Sequence, residues 1–379
     1  MSQSKIYHVA IVGGGLAGLC LSIQLSGAGY SVVLFEKEQY PFHKVCGEYI
    51  SLESWGFLER LGVPLGSWQL PVIKAFQVSD AEGKLYDFDL PLGGFGVSRY
   101  KLDEALYQIA LQKGVTILAG TKVTDVHFEN ELFNVSSTGG NFTATIAAGS
   151  FGKRSNMDVK WHRAFVQQKA SKLNNYIGIK YHIRYPHPAG IIALHNFKNG
   201  YCGISKIEDD RYCLCYLTTA QNLQRCSNSI AQMEQEILQQ NPLLKNIFSN
   251  ATFLYKEPLA ISQVSFDKKE QVKNKMLMLG DAAGMITPLC GNGMSMAMHG
   301  SKLACEAMHL FLQKKISRGQ MEKNYTAAWK KQFGKRLWMG RQVQRVFGGN
   351  RTTSLFFKIM KTLPMLARVV IRSTHGKPF

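Results

Sequence analysis

The chain has 379 residues, 45% of them hydrophobic, which is enough to bury a large core and to divide into two domains. Its formal charge of +19 is concentrated at one end: from Phe311 to Phe379 there are sixteen Lys plus Arg against one acid, Glu322, and the remainder is close to neutral. No charged-then-apolar leader opens the chain and no apolar run approaches the roughly 18 residues of a spanning helix, so the pattern excludes a secreted or membrane-spanning class and predicts a cytoplasmic protein.

Ile6 to Val12 is an apolar run that reads as a buried strand, followed at once by Gly13-Gly14-Gly15-Leu16-Ala17-Gly18 and by an amphipathic helix through Leu25. A second run, Ser31 to Phe35, ends in Glu36. This order of strand, glycine turn, helix, strand and acid is that of a dinucleotide-binding unit: Gly13 permits the tight turn, Gly15 lets backbone approach a diphosphate, and Gly18 lets helix and strand pack. The helix amides then face the phosphates, and Glu36 is placed to accept from a ribose. Pro41 to Ser51 reads as a loop, Leu52 to Leu61 as a helix, Pro71 to Ser79 and Lys84 to Phe88 as strands joined by a turn, and Tyr100 to Lys113 as a helix. Val115 to Leu118, Lys122 to Phe128, Leu132 to Ser137 and Phe142 to Ala148 read as further strands. A second strand-rich block covers Tyr176 to Tyr185, Gly190 to Phe197, Gly200 to Ile207 and Arg211 to Thr218, with Ile230 to Leu238 helical beyond it. Met276 to Gly280 is a strand that precedes a helix from Asn292 to Leu312.

Two further segments carry chemistry. The apolar strand ending in Gly280-Asp281 is followed by Pro288, Gly291, Asn292 and Gly293 at the mouth of a helix, so a carboxylate and a set of backbone amides lie together. Lys44-Val45-Cys46-Gly47-Glu48 places a thiol in a charged loop, and Cys290 lies inside the second glycine turn, where the two thiols could approach one another. Cys46 and Cys290 are therefore candidate catalytic groups, with burial as small apolar residues the alternative for both. His43 and Glu48 flank the same loop and read as solvated side chains rather than catalytic acids. The eight cysteines are expected to be reduced, none has zinc spacing, and no metal is expected.

Together these segments resemble the FAD-dependent oxidoreductases of the para-hydroxybenzoate hydroxylase fold, and within them most closely the geranylgeranyl reductase family. The resemblance rests on Gly13 to Gly18 with Glu36, Lys44-Val-Cys46-Gly47, Arg99-x-x-Leu102-Asp103, and Gly280-Asp281 with Pro288-x-x-Gly291-x-Gly293. It implies an α/β fold in which a Rossmann-like FAD-binding domain of the glutathione reductase type carries an inserted antiparallel β-sheet substrate domain and a helical C-terminal segment. The expected division is 1–70, 97–165 and 270–315 for the FAD-binding domain, 71–96 and 166–269 for the substrate domain, and 316–379 for a basic amphipathic segment. The implied cofactor is FAD, held by Gly13, Gly15, Gly18, Glu36, Lys37, Arg99, Gly280, Asp281, Pro288, Gly291, Asn292 and Gly293, with Glu36 on the adenosine ribose, Arg99 near the diphosphate and Asp281 on the ribityl chain. NAD(P)H or another electron donor is implied with it.

Two departures bear on the reaction. Hydroxylases of this fold carry an acid after the insert where Phe151 stands here, which argues against hydroxylase-type use of NADPH. The Gly200-Tyr201-Cys202-Gly203-Ile204-Ser205 stretch resembles the substrate strand of the reductases, making Tyr201 and Gly203 candidate substrate contacts, but lacks their Trp and Phe-Pro. In the basic end, Tyr325, Trp329, Phe333 and Leu337 recur every four residues among lysines and arginines, and Leu355, Ile359, Leu363, Leu366 and Val370 form a second stripe interrupted by Pro364. The readings are docking on the flavin domain or peripheral contact with an anionic membrane through 316–379; nucleic acid is not expected. The sequence thus points to an FAD-dependent reductase acting on carbon-carbon double bonds of a lipophilic, isoprenoid or polyene-like substrate. The alternatives are a monooxygenase of an aromatic or polyketide-like substrate and a non-catalytic flavin-binding sensor or assembly factor.

Overall fold

A computed structural model describes residues 5–169, 171, 173–346 and 350–379; Met1 to Ser4 and the side chains of Leu355, Pro364 and Leu366 in the second stripe lie outside the described residues. Two sheets organise the chain. The first is a parallel core in the order Met276–Met278, Gly140–Gly149, Ile6–Val12, Val32–Phe35 and Thr116–Leu118, edged by the antiparallel Val272–Lys273. Val9 to Val12 and Val32 to Phe35 are buried, as continuous apolar runs in a parallel sheet covered on both faces must be. Val123–Glu129 and Leu132–Ser137 form an antiparallel meander that closes on Gly140–Gly149, so one long strand serves meander and parallel sheet together.

Among the described residues the second sheet has nine strands. Tyr176–Arg184, Tyr212–Thr219, Gly200–Lys206 and Ile191–Phe197 pair antiparallel in that order. Val72–Ser79 then joins them in parallel with Ile191–Phe197, so sequence segments far apart share one sheet. The strand expected over Lys84 to Phe88 runs from Leu85 to Gly96, and the last three residues of the expected Pro41–Ser51 loop are a strand, Tyr49–Ser51, which pairs with its far end. Pro91, Gly93 and Gly94 interrupt the strand pattern over the extension; the register shifts opposite Ile73 to Ala75, and Gly93 takes φ 73° beneath the Ile73 carbonyl. The helix Pro242–Asn250 was missed, although Asn241 caps it by accepting from Leu243 and Leu244 N–H and Pro242 opens it, a start signal legible in the residues.

The C-terminal segment splits into Arg318–Val346, Asn350–Thr362 and Pro364–Thr374. Its first stripe is core: Tyr325, Trp329, Phe333 and Leu337 are buried, the Tyr325 hydroxyl donates to Met278 O at 2.5 Å, and Trp329 lies against Gly284 and Gly300. The second helix covers one face of the nine-stranded sheet through Phe356 and Phe357, with Phe357 5.6 Å from the Tyr86 ring. The opposite face packs Ile179, Tyr181, Leu214 and Tyr216 against helices that include Pro242–Asn250.

Candidate functional site

The first glycine turn sits between the first strand and the Leu16–Gly27 helix. A side chain at Gly13 would strike the Ser150 carbonyl and one at Gly18 would strike Gly13 O, so both must be glycine for the turn to pack. At Gly15 the reason is different: a Cβ there would stand in open space 3.8 Å from Lys44 Nζ and 4.0 Å from Arg99. A gap bounded by a helix N-terminus and two cations is what a diphosphate requires, so the residues present fit an FAD of which they would hold the central part. Arg99 and Lys44 share the buried Asp103 carboxylate, Arg99 by two bonds of 2.7 Å and Lys44 at 3.2 Å. Burial alone would raise the Asp103 carboxyl; the two cations outweigh it and hold it below the usual range. Glu36, buried at the end of Val32–Phe35, accepts from Gly14 N–H at 2.9 Å and from Glu38 N–H at 3.2 Å, so its carboxylate also ties the turn together. Lys37 faces solvent beside Glu38 at 3.3 Å.

The second glycine turn follows the Met276–Met278 strand. Gly280 and Gly291 adopt φ of 55° and 61°, Pro288 opens a single 3-10 turn, and Gly293 starts the helix to Leu312. Burial pushes the Asp281 carboxyl up, against the pull of Lys269. Lys269, whose own burial lowers it to about 8, donates to Asp281 O at 2.8 Å and Lys153 O at 2.7 Å, while the buried Arg163 donates to Ala282 O at 3.0 Å and pairs with Asp158 at 2.8 Å. Neither Lys269 nor Arg163 stood out in the sequence, because each acts through backbone carbonyls of a distant loop. The Asn292 side chain donates to Thr374 O at 2.8 Å, which commits it to the last helix.

Between the two turns runs the Lys44–Glu48 loop, laid across the nine-stranded sheet. Three of its carbonyls are met by side chains of that sheet: Lys44 O by Lys180 Nζ at 3.1 Å, Cys46 O by Cys213 Sγ at 3.2 Å, and Gly47 O by Ser205 Oγ at 3.1 Å. Glu48, expected to be solvated, is fully buried, and its carboxylate accepts from Lys180 Nζ at 2.5 Å, His182 Nε2 at 2.6 Å and Arg99 N–H at 2.8 Å. Burial would raise this carboxyl, but Lys180 and then His182 bring it down to about 2. His43 touches the same network through the Tyr255 hydroxyl at 3.1 Å. Glu48, His182 and Cys213 bring their ligand atoms within 4.8 Å, a spacing a metal could use, although the Lys180 ammonium already supplies the cation there. A sequence signal existed for Lys180 and His182: two titratable residues alternate in an otherwise buried apolar strand, so they share a face.

The two candidate thiols have different surroundings. Cys46 lies on the loop just described, and burial pushes it up; Cys290 meets Thr287 Oγ at 3.4 Å beneath the long C-terminal helix and is pushed up to about 11 by its burial. Both are thiols rather than ready thiolate nucleophiles. Tyr201 and Gly203 do come together on one face of their strand: Tyr201 is buried in the aromatic cluster under Phe357, and Gly203 lies against Leu194 of the same cluster. Met285 and Leu289, from the second glycine turn, border that cluster.

A family model described as an FAD binding domain matches residues 6–326. The chain belongs to this FAD-binding family. Menaquinone reductase of Mycobacterium tuberculosis is 23% identical over 342 residues, covering 81% of this chain and 78% of that protein. Digeranylgeranylglycerophospholipid reductase of Methanococcus vannielii is 25% identical over 354 residues, covering 87% and 84%. Among solved structures, the flavin-dependent brominase Bmp2 superposes with TM-score 0.77 at 20% identity over 98% of this chain and 93% of its own, and p-nitrophenol 4-monooxygenase PnpA of Pseudomonas putida with TM-score 0.75 at 15% identity over the whole of both. The fold is therefore that of FAD-dependent halogenases and monooxygenases, while the narrower likeness to geranylgeranyl reductases is distant. The preference for a reductase drawn from the sequence is not supported by these similarities.

Proposed function

We propose that the chain is an FAD-dependent oxidoreductase of the oxygen-using kind, acting on an aromatic or polyketide-like substrate. The observation that supports this most is the buried ring cluster beside the second glycine turn, where Tyr176, Tyr201, Phe266 and Phe357 pack together on the sheet face bordered by Met285 and Leu289. Such a face selects flat apolar ligands by stacking. FAD, when bound, supplies two-electron transfer, which in this reading passes to dioxygen. The chain's part is to hold and enclose: Lys44, Arg99 and the Gly15 turn for the diphosphate, Asp281 and the Gly291–Gly293 amides for the remainder, and the Asn350–Thr362 helix to keep water from the aromatic face. In this reading Cys46 and Cys290, both kept as thiols by burial, and Tyr201 and Gly203 would border the bound substrate.

A second reading is reduction of carbon-carbon double bonds in an isoprenoid or polyene-like substrate, which the Cys46-Gly47 loop and the similarity to menaquinone reductase favour. The electron donor, NAD(P)H or another, is unassigned in both, with Phe151 where hydroxylases carry an acid. Anionic membrane contact is part of the same proposal. Ile359, Leu363, Met365 and Val369 stay exposed, Met365 at 82%, beside Lys358, Lys361 and Arg372, although among the described residues no helix is long and apolar enough to cross a membrane.

The test is the reduced, yellow-bleached protein mixed with dioxygen. Uptake accelerated by an aromatic ligand and coupled to its oxidation supports the proposal. Slow, ligand-independent uptake together with anaerobic reoxidation by a polyprenyl substrate replaces it with the reductase. Flavin that no nicotinamide or ferredoxin-like donor bleaches leaves the sensor or assembly factor.

A further inference from the structure

Three parallel strands, Met276–Met278, Gly140–Gly149 and Ile6–Val12, lie side by side and end at one edge, the carboxyl edge at which open α/β sheets hold their ligands. The loops that leave the first two are joined there by a single side chain. Lys269 Nζ donates to Asp281 O at 2.8 Å and to Lys153 O at 2.7 Å, just past the end of each strand.

Two buried cations stand at this place, with the Phe165 ring centroid 5.3 Å from Arg163 and 4.3 Å from Lys269. They are answered differently. Arg163 is fully buried and pairs with Asp158 at 2.8 Å and with Glu270 at 3.1 Å. Lys269 is 8% exposed and, among the described residues, has no carboxylate within ion-pair reach. The charged groups that face it are Asp281 and Asp158, which attract it, and Arg163 and Lys153, which repel it; Asp158 is already taken by Arg163. Backbone carbonyls accept from a neutral donor as readily as from an ammonium, so the two hydrogen bonds do not require a charge. A buried charge without a counter-charge is held at a cost, and burial lowers this ammonium to about 8. The crevice beside it is where an anion would enter. Burial pushes the Asp281 carboxyl up while Lys269 and then Arg99 pull it down, so the ammonium and the guanidinium beside the Gly15 gap border one space.

We propose that Lys269 is a positioning residue for FAD: it sets the spacing of the two loops, and the dinucleotide's phosphates supply the counter-charge that the protein lacks, so that cofactor binding is tied to one proton. When FAD enters at a pH where the amine is neutral, one proton passes from water to Nζ; no covalent bond to the cofactor forms and no electrons move. A proton held more tightly in the complex contributes affinity fully below the free protein's value and loses that contribution as pH rises through the value in the complex. FAD should therefore bind with constant affinity up to about pH 8 and up to about tenfold more weakly for each pH unit above it. This role needs FAD in the crevice and is indifferent to whether dioxygen or an alkene receives the electrons.

The experiment is titration of the deflavinated protein with FAD from about pH 6 to about pH 9.5, read by quenching of flavin fluorescence and by the proton uptake that calorimetry in two buffers measures. The parent should show the break at about pH 8, with up to one proton taken up above it. Lys269→Met should bind FAD at least about tenfold more weakly at neutral pH, with neither break nor uptake. Lys269→Arg, which stays charged throughout, should bind without the break. A parent whose affinity is constant across the range, or a break that persists in Lys269→Met, overturns the assignment. If Lys269→Met folds poorly, the parent profile and Lys269→Arg decide, and a break that Lys269→Arg keeps is equally fatal. A flat profile leaves the proposed function standing, whereas a chain that takes up no FAD at any pH overturns both.

Discussion

Replacing Lys180 by Met should destabilise the protein more than any exposed charge substitution, because it strips the strongest partner from a fully buried carboxylate. Glu48 is held at about 2 rather than 4.5 by Lys180 and His182 acting against burial, which corresponds to about 3 kcal/mol of stabilisation at neutral pH. A depressed carboxyl contributes fully above its unfolded value and loses that contribution as pH falls through its folded value, so the parent keeps this term at pH 7 and sheds it only between about pH 4.5 and 2. Without Lys180, burial is answered by His182 and one backbone N–H, and breaking a buried pair in this way costs about 3–5 kcal/mol. The cost should shrink toward pH 5, where the carboxyl can take up a proton and stay buried as a neutral acid. Pairing Lys180→Met with Glu48→Gln should restore at least half of the loss, since both charges then leave together. Urea unfolding followed by tryptophan fluorescence at pH 7 and pH 5 measures all three proteins. A loss below about 1 kcal/mol for Lys180→Met, the range of an exposed pair, or a double variant no better than the single, would refute the reasoning.

Gly15→Leu is expected to fill the gap in front of Lys44 and Arg99, so absorbance at purification should show flavin lost while the melting temperature of the apo-protein stays near that of the parent apo-protein. Trp329→Ala removes a ring wedged between Gly284 and Gly300 and should lower stability by about 3–5 kcal/mol, read from the same denaturation assay. Leu363→Asp with Met365→Asp should abolish co-sedimentation with vesicles containing anionic lipid and leave the flavin spectrum untouched; unchanged sedimentation would remove the membrane proposal.

Local pattern carried the sequence a long way at this site. The glycine turn, its flanking strands and Glu36 lie within thirty-one residues of one another, from Ile6 to Glu36, so hydrophobic period and turn chemistry were sufficient to read them, and the strand-to-helix turn at Gly280 to Gly293 was legible for the same reason. What only the tertiary structure decided depends on pairing between distant segments. Lys180 and His182 acquire meaning when the Tyr176–Arg184 strand passes beneath the Lys44–Glu48 loop, and Glu48, which looks like any loop acid, becomes a buried anion only there. The same holds for the basic end. A stripe of Tyr325, Trp329, Phe333 and Leu337 with cations between is equally suited to a core, a membrane or a partner, because amphipathic period says that one face is apolar without saying what covers it; the contact with Gly284, Gly300 and Met278 O settles it as core.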